Sequence, residues 1–112
     1  MLKKIAKRIT KEVEQAKDYV EQAYLIKHSH RELADLFISL ASEELVHAEK
    51  LFRSGFTMIS AKETGLYMTN DATVKDQSDA HFEKCKTIWE WENRLMSDTM
   101  AELKYKISMF KS

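Results

Sequence analysis

The chain has no proline and only two glycines, Gly55 and Gly65, in 112 residues. Average usage would place about five or six prolines in a chain of this length. So few breakers exclude a fold rich in turns and leave long helices as the simplest architecture. Cysteine is nearly absent as well. Cys85 stands alone, so no disulfide can form within the chain, which fits a reducing compartment. Neither sign of charge prevails, with 18 Lys plus Arg against 18 Asp plus Glu. Zero net charge without a local basic stripe argues against binding nucleic acid through a basic field. Long apolar runs are missing too. The opening MLKKIAKRIT is charged and amphipathic, without the apolar core of a signal peptide, and no stretch approaches a membrane span. The expectation is a soluble, cytoplasmic protein with no nucleic-acid and no membrane partner.

What is present reads as one all-α domain over residues 1–112, with 32% of residues charged. The first helix is expected from about Leu2 to Lys27, because Leu2, Ile5, Ile9, Val13, Ala16, Val20 and Ala23 recur at three-and-four spacing. The stretch KHSH around His28 makes a short turn. A second helix starts near His30 and runs through Glu44 towards Glu63, with Gly55 placed to bend it and Gly65 to end it. The polar stretch TGLYMTNDATVKDQSD, residues 64–79, reads as the one long connection. Asp76 or Ser78 is the expected cap of a third helix that continues to about Phe110. Its apolar face carries Phe82, Cys85, Trp89, Met96, Leu103 and Phe110. Trp89 and Trp91 cannot both face one core, so one of them belongs at an interface. The methionines, Met96 and Met100 among them, read as core filler.

The stretch LASEELVHAEKLF, residues 40–52, breaks the pattern. On a wheel of ~100° per residue, Leu33, Phe37, Leu40, Ala48 and Leu51 share one side. Glu44 falls near the middle of that side, and His47 lies ~60° away on the same face. Charged side chains are almost never fully buried unless paired. A partner on a neighbouring helix, or a metal, should answer these two. If the first two helices form an antiparallel hairpin turning near residue 28, position 44 lies opposite position 12. Glu12 sits ~65° from the centre of the first helix's apolar stripe, whereas Glu14 falls on the polar side. On the third helix Glu92 lies within the apolar face, between Trp89 and Met96, at a level close to that of His47.

The motif EELVHAEKLF resembles the Glu-x-x-His helix of the ferritin-like superfamily, in particular rubrerythrins and encapsulated ferritins. Members of that superfamily bind iron, usually as a di-iron carboxylate site in a four-helix bundle. In those relatives a glutamate of the preceding helix joins the motif, followed two turns later by a tyrosine. Here Glu12 precedes Glu44 by 32 residues and Tyr19 follows Glu12 by seven. The resemblance implies Glu12, Glu44 and His47 as metal ligands, with Tyr19 supporting them from behind. It implies iron, di-iron or mononuclear, with another divalent metal as the alternative occupant. Small rubrerythrin-like proteins, some prophage-encoded, carry WEHEK in their last helix. This chain reads WEWENR, with Trp91 at the histidine of WEHEK, and Asn93 stands three after Glu90, where a second Glu-x-x-His motif would carry its histidine. It therefore has one Glu-x-x-His motif where a full bundle offers two. Two completions follow. A homodimer brings together two copies of Glu12, Glu44 and His47, as in encapsulated ferritins. Alternatively one chain closes the site with Glu92, or with Glu90 in the relatives' register.

Carboxylates and imidazole suit iron because carboxylates bridge two ions and tolerate changes of charge, while imidazole adds a neutral nitrogen donor. Each residue also has a plainer reading. Glu44 with His47 could be a buried structural pair, Glu12 could bond a tyrosine or a lysine, and Glu92 could pair with a lysine. Glu90 and Asn93 read as solvated. His81 and Cys85, four apart, read as a satisfied histidine and a small buried thiol, and His28 and His30 as exposed turn residues. Two function classes therefore compete: a ferritin-like metal protein that oxidises iron or reduces peroxide, and a degenerate ferritin-like bundle acting as a structural or interaction protein. No Cys-x-x-Cys pair is present in these residues, so no rubredoxin-like iron domain is expected. Stripes this wide on three helices leave Trp91 and Met109 to be covered, which predicts self-association as a homodimer or higher homo-oligomer.

Overall fold

The computed structural model describes residues 2–63 and 72–111, with side chains described for 2–59, 83–84 and 86–111. They form three helices, α1 (Leu2–Ile26), α2 (Arg31–Glu63) and α3 (Ala72–Lys111). Ala, Glu, Lys and Leu fill them, and no proline interrupts. The molecule is a rod of 64 × 18 × 17 Å. Its length is set by α3, whose 40 residues span ~60 Å at the helical rise. α1 turns into α2 tightly: the amides of Ser29 and His30 both donate to the Ile26 carbonyl, at 3.1 and 2.7 Å. The His30 carbonyl then accepts the first bond of α2, from the Ala34 amide at 2.9 Å. His28 and His30 are exposed on this turn.

One period governs all three helices. On α1 the buried seam is Leu2, Ala6, Ile9, Val13, Ala16, Val20 and Ala23. On α2 it is Ala34, Ile38, Ala41, Leu45, Ala48, Gly55 and Ile59, with Phe52 half-buried in step. On α3 it is Trp89, Met100, Leu103, Ile107 and Phe110, with Met96 and Asn93 half-buried in step. Steps of four and three alternate without a fault. That is a repeat of about 3.5 residues, the period of helices wound with a left-handed supercoil. On α2 the seam alternates a small residue with a large one, so the backbones of α1 and α2 approach closely at each alanine and each large side chain fills the gap beside it.

α1 lies between the other two. It packs along α2 for most of its length and along α3, whereas α2 and α3 touch at few places. The chain runs up, down and up. Tyr24, near the end of α1, packs edge-on against Phe110 at 5.4 Å and donates a 2.7 Å hydrogen bond to the Lys106 carbonyl, both near the end of α3. At the other end Phe52 and Phe56 of α2 meet the Trp89 ring edge-on at 6.0 and 6.2 Å.

Several sequence expectations are corrected here. α3 is under way at Ala72, so Asp76 and Ser78 lie inside the helix and do not cap it. The connection is accordingly shorter than 64–79; residues 64–71, with Gly65, lie outside the described residues. α2 continues through Gly55 to Glu63. Gly55 serves packing, because a Cβ there would lie inside the Trp89 indole, 2.9 Å from Cε2. The centre of the α2 stripe is also displaced. The large residues drew it towards Leu33 and Leu40, but the alanines mark the seam, and Leu33 is 44% exposed. Glu44 therefore stands on the flank of the seam, half-buried. Of the two tryptophans Trp89 is buried and Trp91 is 63% exposed. Asn93, expected in solvent, occupies a seam position. The side chains of His81, Phe82 and Cys85 lie outside the described residues. Among the described residues no helix is long and apolar enough to cross a membrane.

Candidate metal centre

A seam of this period leaves each helix with two flanks. On α1 one flank carries Ile5, Glu12, Tyr19 and Ile26 at seven-residue spacing, and the other carries Tyr24. On α2 the corresponding flanks carry Phe37, Glu44, Leu51 and Met58, and Ser42, Glu49 and Phe56. α3 covers the flank of Tyr24, Glu49 and Phe56: Lys104 bonds Glu49, and the grooves between α2 and α3 are lined by Ser42, Glu49 and Phe56. The flank of Glu12 and Glu44 faces away from α3.

The level of the site follows from one aromatic pair. Tyr19 stacks on Phe37 with centroids 5.9 Å apart and planes at 19°. In an antiparallel pair, seven residues back along α1 and seven forward along α2 must also meet. Those residues are Glu12 and Glu44. His47, one turn beyond Glu44, leans over from the same helix. Ligand atoms of Glu12, Glu44 and His47 all lie within 4.8 Å of one another.

Burial falls across the trio. Glu12 is 3% exposed, Glu44 is half-buried, and the His47 side chain is 54% exposed. The two oxygens of Glu12 are not equivalent. Oε1 accepts a 2.7 Å bond from Arg8 Nε, one turn earlier. Oε2 is buried without a hydrogen-bond partner, with His47 Nδ1 at 3.7 Å, beyond hydrogen-bond length. Glu44 Oε2 is likewise buried and unpartnered. Two orphaned carboxylate oxygens in one small site are a standing electrostatic cost. The trio fits a cation chemically. Bonds of about 2.0–2.2 Å to a common ion put donors roughly 3–4 Å apart, so an approach of about 1–2 Å closes a spacing of 4.8 Å.

The other candidates fall elsewhere. Glu14 is exposed. Glu92 is half-buried on α3 beside Ala6, Ile9, Phe52 and Trp89. That is close to the level of His47, as its sequence position implies, but with α3 on the opposite flank of the hairpin. Glu92 is not a member of the trio, and Glu90 is exposed beside Arg94 and Asp98. Tyr19 sits one level along from Glu12, stacked on Phe37. Arg8 is the residue that sequence reasoning passed over. Its spacing of four before Glu12 on one helix was the available signal.

Compared with known proteins, the chain matches no family model, no curated protein and no solved structure. Fold and site together define an all-α, three-helix protein that carries a carboxylate–imidazole cluster on the uncovered flank of its central hairpin.

Proposed function

We propose that the chain is a ferritin-like metal-binding protein that holds iron through Glu12, Glu44 and His47, and that two copies complete the site. The observation that carries this reading is that Glu12 and Glu44 each bury an oxygen without a hydrogen-bond partner, and that one ligand atom of each lies within 4.8 Å of the others and of His47. A cation would satisfy both and offset their desolvation. Iron suits this mixed oxygen and nitrogen donor set, and when bound it supplies one-electron chemistry and a Lewis acid. The chain's own part is to fix two carboxylates on facing helices and set an imidazole at the solvent side.

Homodimerisation is supported by the flank itself. Around the trio lie Leu33, Phe37, Leu40 and Leu51 of α2 with Ile5, Tyr19 and Ile26 of α1, all half-buried or exposed. Two α1–α2 hairpins facing through this flank make four core helices and bring four carboxylates and two imidazoles together, the composition of a di-iron bundle. The same contact would cover His47.

A second reading is favoured by one observation, the Arg8–Glu12 ion pair, which neutralises Glu12 without a metal. On that reading the chain is a structural or interaction bundle that keeps the fold alone. The test is thermal. Ferrous ion added without air to metal-free protein raises Tm, because it binds only the folded state. His47→Ala removes most of the gain and His28→Ala leaves it. If wild type is indifferent to iron, manganese and zinc, the metal reading fails.

A further inference from the structure

We infer that Arg8 is a resident counter-ion that competes with the metal for Glu12 and so sets the affinity of the site. This rests on the metal-binding reading above and assigns its regulation to a residue that is not a ligand.

The argument starts from Glu12. Its carboxylate is almost completely buried on the flank of an apolar seam, and a buried carboxylate must be neutralised by a proton, a cation or a charged donor. In the structure the donor is the Arg8 guanidinium, whose Nε meets Oε1 at 2.7 Å. The bond takes one oxygen of the ligand and leaves the other, Oε2, buried and 3.7 Å from His47 Nδ1. A carboxylate bridging two ions, or chelating one, needs both oxygens. While Arg8 holds Oε1, that oxygen must share its electron density with the guanidinium, so Glu12 bridges or chelates less strongly. The positive guanidinium also sits next to the place where a positive ion would bind.

The geometry provides an exit. The Arg8 side chain is 58% exposed. It can leave Glu12 for water without unpacking the core, since more than half of the side chain is already exposed. One helical turn links the two residues, so the exchange needs only rotation of the Arg8 side chain. The protein therefore has two charge-balanced states of Glu12: paired with Arg8 when empty, and released to the cation when loaded. The ion pair lowers affinity for metal and keeps the empty protein folded.

The test uses the full-length protein, freed of metal and titrated with ferrous ion without air in a calorimeter, alongside its melting curve. Arg8→Gln removes the competing charge and should bind about tenfold more tightly, the scale of one hydrogen bond to a charged group. Its metal-free form should melt several degrees below wild type, and saturating ferrous ion should close most of that gap. Arg8→Lys keeps a charge beside Glu12 without the Nε donor and folds on that account. It should bind more tightly than wild type by a smaller factor. Lys11→Gln removes the same charge from an exposed neighbour of Glu12 and should change affinity less than about twofold. If wild type binds and neither Arg8 variant binds more tightly, or Lys11→Gln gains as much as Arg8→Gln, the competitor role of Arg8 is overturned and the metal site stands. If neither wild type nor any variant binds, both the site and the role assigned to Arg8 are overturned.

Discussion

The two flanks of the α1–α2 hairpin are built on the same seam and differ in what closes them. α3 covers the flank of Tyr24, Glu49 and Phe56, and ordinary packing does the work there: an indole laid on a glycine, three edge-on aromatic contacts, a tyrosine bonded to a carbonyl. Among the described residues the flank of Glu12 and Glu44 has no helix over it. It holds two buried carboxylate oxygens without hydrogen-bond partners amid half-buried apolar side chains. A covered flank is stabilised by shape. An uncovered one that keeps buried charge is marked for a ligand, a second copy, or both.

The sharpest break of the covered flank is at Trp89. Trp89→Ala should cost about 3–5 kcal/mol, read from the urea midpoint, because it empties the largest fully buried side chain. Gly55→Ala should cost about 1–3 kcal/mol or more, since a rigid ring occupies the space of the new methyl. The two losses should not add. With Trp89 already alanine, the methyl at Gly55 enters vacant space and should cost almost nothing or stabilise. Additive losses would mean that Gly55 matters for some reason other than the indole.

The open flank breaks differently. Glu12→Gln should abolish most ferrous-ion binding while Glu14→Gln leaves it intact, since only Glu12 joins the trio. Equal losses would mean that the assignment of Glu12 alone to the inward face of α1 is wrong. Leu40→Glu should lower the mass seen by light scattering at micromolar concentration to that of one chain, whereas Leu25→Glu, exposed on the outer face of α1, should not. A wild-type mass of one chain would remove the two-copy completion while leaving the trio as a mononuclear site.

How much of this was legible in the sequence depended on which physical signal each residue leaves. The helices were legible because missing prolines and three-and-four spacing act locally. The pairing of position 12 with position 44 was legible because a short turn near residue 28 fixes hairpin register by counting alone. The seam of α2 was not, since large residues dominate a hydrophobic wheel while alanine, which permits the closest approach, weighs little in it. The flank taken by α3 was not legible either. Helical height follows from the chain, but side of approach depends on the fit of a distant side chain, here Trp89 on Gly55. That is why Glu92 was placed at nearly the right level and on the wrong side. Arg8 was not legible as the partner of Glu12, because a buried charge points to an answer across helices and this one lies one turn away on the same helix.

The smallest effect separates the flanks by their ion pairs. Lys104–Glu49 bridges α3 to α2 on the covered side, and both its side chains keep access to water, at 56% and 34% exposure. Arg8–Glu12 has one partner exposed and one buried. Coulomb attraction between hydrated charges is screened and mostly offset by the entropy of holding two long side chains. Lys104→Met removes that attraction and leaves Glu49 free to hydrate, so it should cost no more than about 1 kcal/mol, and less as salt is raised. Removing Arg8 leaves Glu12 charged where water cannot reach it, and the loss should be larger and less sensitive to salt. Both variants unfolded in urea at low and high sodium chloride give the comparison directly. A Lys104 loss equal to the Arg8 loss would show that Glu49 is desolvated by α3, and that the covered flank is held by charge as well as by shape.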